Sequence, residues 1–116
     1  MEKTTLTSEK CLPCEGGVSP LTREDARPLM NDVLGWDLRD DAKEISRTVK
    51  RKDFVDALAF VSAVGAIAEE EGHHPDIDIR YSRVTLRLST HAIKGLSRND
   101  FILAAKINAL LDSDKN

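Results

Sequence analysis

The sequence predicts a single α+β domain of four short strands and three helices. Three observations predict it. Residues 77–88 alternate apolar and polar with a period of two, the pattern of a half-buried hairpin. Residues 53–71 are apolar around most of their girth, the pattern of a helix buried on more than one side. Residues 97–111 place Phe101, Leu103, Ala104, Ile107, Leu110 and Leu111 at helical spacing behind a Ser97-x-x-Asp100 start signal. A chain of 116 residues fits one domain with a real but modest core.

Residues 1–20 read as a flexible, extended leader, because Pro13, Gly16, Gly17 and Pro20 interrupt any regular pattern. The leader carries Cys11-Leu-Pro-Cys14. A lone pair at this spacing could be half a zinc site or a redox motif. There is no second pair, and no strand–helix setting surrounds it, so a reduced pair in a mobile tail is expected. The domain proper is expected over residues 21–116.

Thr22-x-x-Asp25 opens a first helix over about residues 23–34, with Leu29, Met30, Val33 and Leu34 as its apolar side. Pro28 is awkward in its early turns, and Gly35 closes it. Residues 36–38 and 44–50 read as short strands; in the second, Ile45 and Val49 share a face with Arg47. Asp53 caps the long helix, in which Phe54, Leu58, Val61, Val64 and Ala68 form one stripe. Its apolar girth predicts contact with another subunit as well as the core. Its last turn carries Glu69, Glu70 and Glu71, which oppose the helix macrodipole. Such a broken local rule can mark a functional site.

A turn at Ser82 and Arg83 would pair Ile77 with Leu88, Ile79 with Leu86, Tyr81 with Val84 and Asp78 with Arg87. Continued past the strand ends, this register sets His74 opposite His91. The mouth of the hairpin would then gather His73, His74 and His91, which are all three histidines of the chain. Histidine changes charge near neutral pH without help, so this cluster points to proton transfer or a metal. Asp100, in the first turn of the last helix, fits a cap or a functional carboxylate equally well.

Net charge is −3 with no basic block, which argues against direct nucleic-acid binding. The longest apolar run, residues 57–68, is too short to span a bilayer. The first residues have no apolar secretory core, so a cytoplasmic protein is expected.

Gly35-Trp36, the Phe54-containing helix, Glu69, His73-His74-Pro75, Ser89-Thr90-His91, Gly95-Leu96-Ser97 and Asp100 together resemble the pterin-4a-carbinolamine dehydratase family over about residues 21–112. The resemblance implies a four-stranded antiparallel sheet with three helices packed on one face, and a homodimer or homotetramer. It implies dehydration of 4a-hydroxytetrahydropterin to quinonoid dihydropterin, which recycles the cofactor of aromatic amino-acid hydroxylases. No metal or other cofactor is implied.

By the same likeness His73, His74 and His91 are catalytic, with Asp100 orienting a histidine and Glu69 raising the basicity of the cluster. Trp36, Pro75, Ser89 and Thr90 would contact the pterin. Two departures touch the pocket edge: Asp76-Ile77 follows His-His-Pro where some members carry an aromatic residue, and Asn99 stands where some carry Arg. Three readings compete with it. One is a non-catalytic pterin-binding or dimerisation protein, like the relative that partners a homeodomain transcription factor. Another is a metal site made by the three histidines. The third is a set of partly buried histidines with only structural hydrogen bonds.

Overall fold

A computed structural model describes residues 5–11 and 19–114 of the chain. In chain order the elements are α1 (Thr5–Ser8), α2 (Arg23–Met30), β1 (Asp37–Leu38), β2 (Ile45–Lys50), α3 (Phe54–Glu71), β3 (Asp76–Arg80), β4 (Arg83–Leu88), a 3₁₀ turn (His91–Ile93) and α4 (Arg98–Asp114). The strands form one antiparallel sheet in the order β1-β2-β4-β3. This is the expected α+β class. β4 lies between β2 and β3, so α3 is the connection that carries the chain across the sheet.

One face of the sheet is apolar. Ile45 pairs with Leu88 and Val49 with Val84, while Leu86 lies opposite both Arg47 and Ile77. Val84, Leu86 and Leu88 are fully buried there together with Ala57, Phe60 and Val64 of α3 and Phe101, Ala104 and Ile107 of α4. Burying a side chain of this size stabilises by about 1.5–3 kcal/mol, so this seam is the main source of folding free energy. The other face carries Thr48, Lys50, Thr85 and Arg87, with a 2.9 Å hydrogen bond between the Thr48 and Thr85 hydroxyls.

Several expectations are corrected. The hairpin turn is Tyr81 and Ser82, one position earlier than expected, so Ile77 pairs with Leu86 and Ile79 with Val84. Tyr81 takes a left-handed backbone (φ 52°), and the Ser82 carbonyl accepts a 2.7 Å hydrogen bond from the Arg51 N–H. That tie to the β2–α3 loop anchors the turn. A shift of two residues keeps every side chain on its expected face. Arg87 now faces Asp76, and Asp78 pairs with Arg80 at 3.4 Å. The expected opposition of His74 and His91 goes with the old register.

α2 has the anticipated capping box, with Thr22 Oγ1 accepting from the Asp25 N–H (3.1 Å) and Asp25 Oδ2 accepting from the Thr22 N–H (3.2 Å). It stops at Met30 and not near 34. Pro28 offers no N–H to the preceding turn. The bonds after it switch to the tighter i→i−3 spacing at Asn31, Asp32 and Val33. On α3 the inward stripe is Ala57, Phe60, Val64, Ala68 and Glu71. Phe54 and Leu58, expected in the stripe, lie at the surface beside Val55 (74% exposed). Leader residues 5–11 are not an extended tail: α1 packs on α4, and Leu6 is 2% exposed in the core. Cys11 is a buried free thiol, whereas Pro13, Cys14, Gly16 and Gly17 lie outside the described residues. Among the described residues no helix is long and apolar enough to cross a membrane.

Candidate functional site

The site forms where three chain ends meet. α3 ends at Gly72 in a left-handed C-cap (φ 68°), which turns the chain sharply and puts His73 and His74 ahead of β3. β4 runs out at Leu88 into Ser89 and Thr90, and His91 begins the 3₁₀ turn. The bridge between Thr90 and Gly95 closes that turn, with the Thr90 N–H donating to the Gly95 carbonyl at 2.7 Å. α4 then starts with Asn99 and Asp100 pointing back at the same spot.

Asp100 is the hub, with 0% exposure. Its Oδ2 accepts hydrogen bonds from the Thr90 hydroxyl (2.8 Å) and the Ser97 N–H (2.9 Å). The Thr90 proton is thereby used, so the Ser97 hydroxyl donates to Thr90 Oγ1 at 2.7 Å. Asp100 Oδ1 meets His73 Nε2 at 2.6 Å. A carboxylate only accepts, so Nε2 carries the proton in this bond and Nδ1 is the ring nitrogen left for a ligand. Asp100 therefore bonds the first turn of its helix and a histidine ring at once. His74 Nε2 lies 2.6 Å from Glu69 Oε2, but this pair is open to solvent, with His74 58% exposed against 12% for His73. An exposed pair of this kind is worth little in stability.

A cavity of about 610 Å³ lies beside these groups, and Asp100, Ser97 and Glu69 are not among its lining residues. His73, His74, Pro75, Ser89, Thr90 and His91 all line it in spite of the change of register. Trp36 does not line it. Its ring is buried in the core, and its Nε1–H donates to Asn108 Oδ1 at 2.8 Å. Asn108 lies eight residues past Asp100, about 12 Å along α4, which explains why the indole misses the cavity. Among the described residues, no group of three or more His, Cys, Asp or Glu is placed to hold a metal ion.

Cys11, Glu71, Gly72 and Ala92 line the cavity without having been singled out for it, and Asp76 and Asn99, named as departures at the pocket edge, line it too. Glu71 had left a signal, as an acidic residue at the wrong end of a helix. Its carboxylate is buried, accepts from Lys106 Nζ (2.7 Å) and from the Cys11 N–H (2.8 Å), and lies 3.8 Å from Lys10 Nζ. The Lys106 hydrogen bond, aided by that N–H, holds its pKa below the ordinary 4.5 in spite of burial. Burial first, then the Glu71 charge, pushes the Cys11 thiol up to about 12, so it is a neutral wall group and not a nucleophile.

Residues 19–110 match the family model described as pterin 4 alpha carbinolamine dehydratase. A provisionally named pterin-4-alpha-carbinolamine dehydratase of Halorhodospira halophila is 48% identical over 106 residues, 91% of this chain and 97% of that one. A relative of the same provisional name from Methylococcus capsulatus is 44% identical over 110 residues, 95% and 96% of the two chains. A crystal structure described as a transcriptional coactivator/pterin dehydratase from Brucella melitensis superposes with a TM-score of 0.74 at 33% identity, covering 79% of this chain and 98% of that one.

Proposed function

This chain belongs to the pterin-4a-carbinolamine dehydratase family, and we propose that it dehydrates 4a-hydroxytetrahydropterin to quinonoid dihydropterin by histidine acid/base catalysis. The observation that carries this reading is the buried Asp100–His73 pair opening onto a cavity shared with His74 and His91. The reaction breaks the C4a–O bond. One proton must reach the departing hydroxyl and one must leave ring nitrogen N5; water departs, and no electrons go to an outside acceptor. Protons are therefore all the protein has to move, which needs no redox cofactor.

Imidazoles suit both roles at neutral pH, and each well-placed transfer contributes about 10²–10⁴-fold. His73 and His74 are the acid/base groups. The Asp100 carboxylate fixes the His73 tautomer and stabilises its imidazolium, as a buried carboxylate does for a catalytic histidine elsewhere. His91 positions the substrate or shares a transfer. Ser89 offers backbone groups to the pterin ring, while Thr90, whose N–H and carbonyl are engaged with Gly95 and Ile93, packs beside it with Pro75. The physiological role would be recycling of the pterin cofactor of aromatic amino-acid hydroxylases, in the cytoplasm. Self-association as a homodimer or homotetramer fits the apolar side chains that α3 leaves at the surface, Phe54, Val55 and Leu58.

The test is the decay of freshly generated 4a-hydroxytetrahydropterin with wild-type protein, His74→Ala and His91→Ala. The wild type should accelerate it, and both variants should lose most of that activity while remaining folded. Full activity in either variant would remove that residue from the mechanism. A second reading, an interaction protein on the same fold, draws on the coactivator description of the Brucella structure. It would be favoured by a wild-type protein that binds pterin without turning it over.

A further inference from the structure

One wall of the pocket comes from ahead of residue 19, where the family model begins, in a stretch that the Methylococcus relative's 110-residue match also takes in. Leader residues reach both elements that carry the proposed site. Leu6 is buried in the core, and the Glu9 carboxylate accepts two 2.7 Å hydrogen bonds from the guanidinium of Arg98, at the start of α4. Lys10 Nζ donates to the Glu70 carbonyl at 3.3 Å, at the end of α3. Cys11 completes the strap. Its N–H is held by Glu71 Oε1, its Sγ lies 3.6 Å from the Asn99 carbonyl, and it lines the histidine cavity.

Resting on the dehydratase reading, we propose that leader residues 6–11 close one side of the pterin pocket, and that Glu71 is the positioning residue that locks this wall. Glu71 sits two residues before His73 and joins three segments through one carboxylate: the leader at Cys11, α4 at Lys106, and its own helix end. Placing a carboxylate at a helix C-terminus is unfavourable. Lys106 and the Cys11 N–H offset that cost, which is how a group wrong for its helix can be right for the site. Of the wall only Cys11 lines the cavity, with a small neutral thiol, while Glu9 and Lys10 are engaged with Arg98 and the Glu70 carbonyl, so the wall presents no proton-transfer group to bound pterin. Its contribution should therefore appear in substrate binding and not in the chemical step. Losing contacts equal in ground and transition state raises KM and leaves kcat alone.

Leu6→Asp puts a charge at a core position and should undock the wall. We expect KM to rise by about five- to tenfold with kcat within about twofold of wild type. Glu71→Gln keeps an acceptor for the Cys11 N–H but strands Lys106, and should raise KM less than Leu6→Asp does. A measurement on the folded protein guards against a variant that fails to fold. In a Cys14→Ser background, saturating 7,8-dihydrobiopterin should slow alkylation of Cys11 by about fivefold or more, because binding suppresses opening of the wall. Unchanged Cys11 labelling with pterin bound, or an unchanged KM in a folded, undocked Leu6→Asp, overturns the wall and leaves the dehydratase reading standing. Absence of any pterin binding overturns both. Cys11 protection without turnover supports the wall and removes only the catalytic reading.

Discussion

Asp100→Asn separates the two duties that one carboxylate performs. The amide has nearly the same shape, and its remaining oxygen can accept from Thr90 and the Ser97 N–H much as Oδ2 does now. What it cannot supply is the second, charged acceptor for His73 Nε2 at 2.6 Å. A hydrogen bond to a charged group contributes about 1.5–3 kcal/mol. If that stabilisation is present when His73 is protonated and lost otherwise, kcat should fall by about ten- to a hundredfold, at 1.36 kcal/mol per factor of ten. With its oxygen kept on Thr90 and Ser97, the amide presents its NH₂ to His73 and imposes the wrong tautomer, which would deepen the loss. Stability should change much less, because the cap survives. Asp100→Ala would instead leave Thr90 and the Ser97 N–H short of an acceptor, at about 1–3 kcal/mol for each group left unsatisfied. The assay is stopped-flow decay of 4a-hydroxytetrahydropterin with thermal unfolding of the same samples. A kcat within twofold of wild type in Asp100→Asn would refute the reasoning and leave Asp100 as a helix cap only.

Three other outcomes are expected. Trp36→Phe loses the bond to Asn108 and part of its core packing, so stability should fall by about 1–3 kcal/mol with kinetics unchanged; a raised KM would return the indole to the pocket. Glu69→Ala should weaken turnover by about threefold at most, since its pair with His74 is exposed, and a loss of two orders of magnitude would contradict this. Glu71 has a folded-state pKa below its unfolded value near 4.5, so its stabilisation is fully present above that pH and is lost as pH falls through the lower folded value. Melting temperature against pH should accordingly show a shallower acid limb in Glu71→Gln than in wild type, and identical limbs would remove Glu71 from the acid transition.

The parts of this molecule that follow from periodicity were legible in its residues. The faces of β3 and β4 read off directly, because burial on one side of a sheet demands alternation. The hairpin register did not, because it depends on Tyr81 accepting a left-handed backbone and on a hydrogen bond from Arg51, neither of which alternation encodes. The histidine cluster was legible because two of its members are adjacent in the chain and the third follows the neighbouring strand. Trp36 misled because a lone indole near a family motif looks like a pocket wall, whereas its hydrogen-bond partner lies well down α4. Residues 5–11 depart from the expected extended leader for a related reason. Its prolines and glycines mark residues 13–20, but the anchoring contacts come from Leu6, Glu9 and Cys11, whose partners are about 60–90 positions away in the chain. Only the three acidic residues ending α3 hinted that something had to be held there.

The central claim is that three imidazoles converge on one bound pterin. The most direct measurement is NMR of the ¹⁵N-labelled histidine rings during titration with 7,8-dihydrobiopterin. The account predicts that His73, His74 and His91 all shift along one saturation curve, with the largest change at the His73 Nδ1. A His91 resonance that stays in place while the other two move would contradict it.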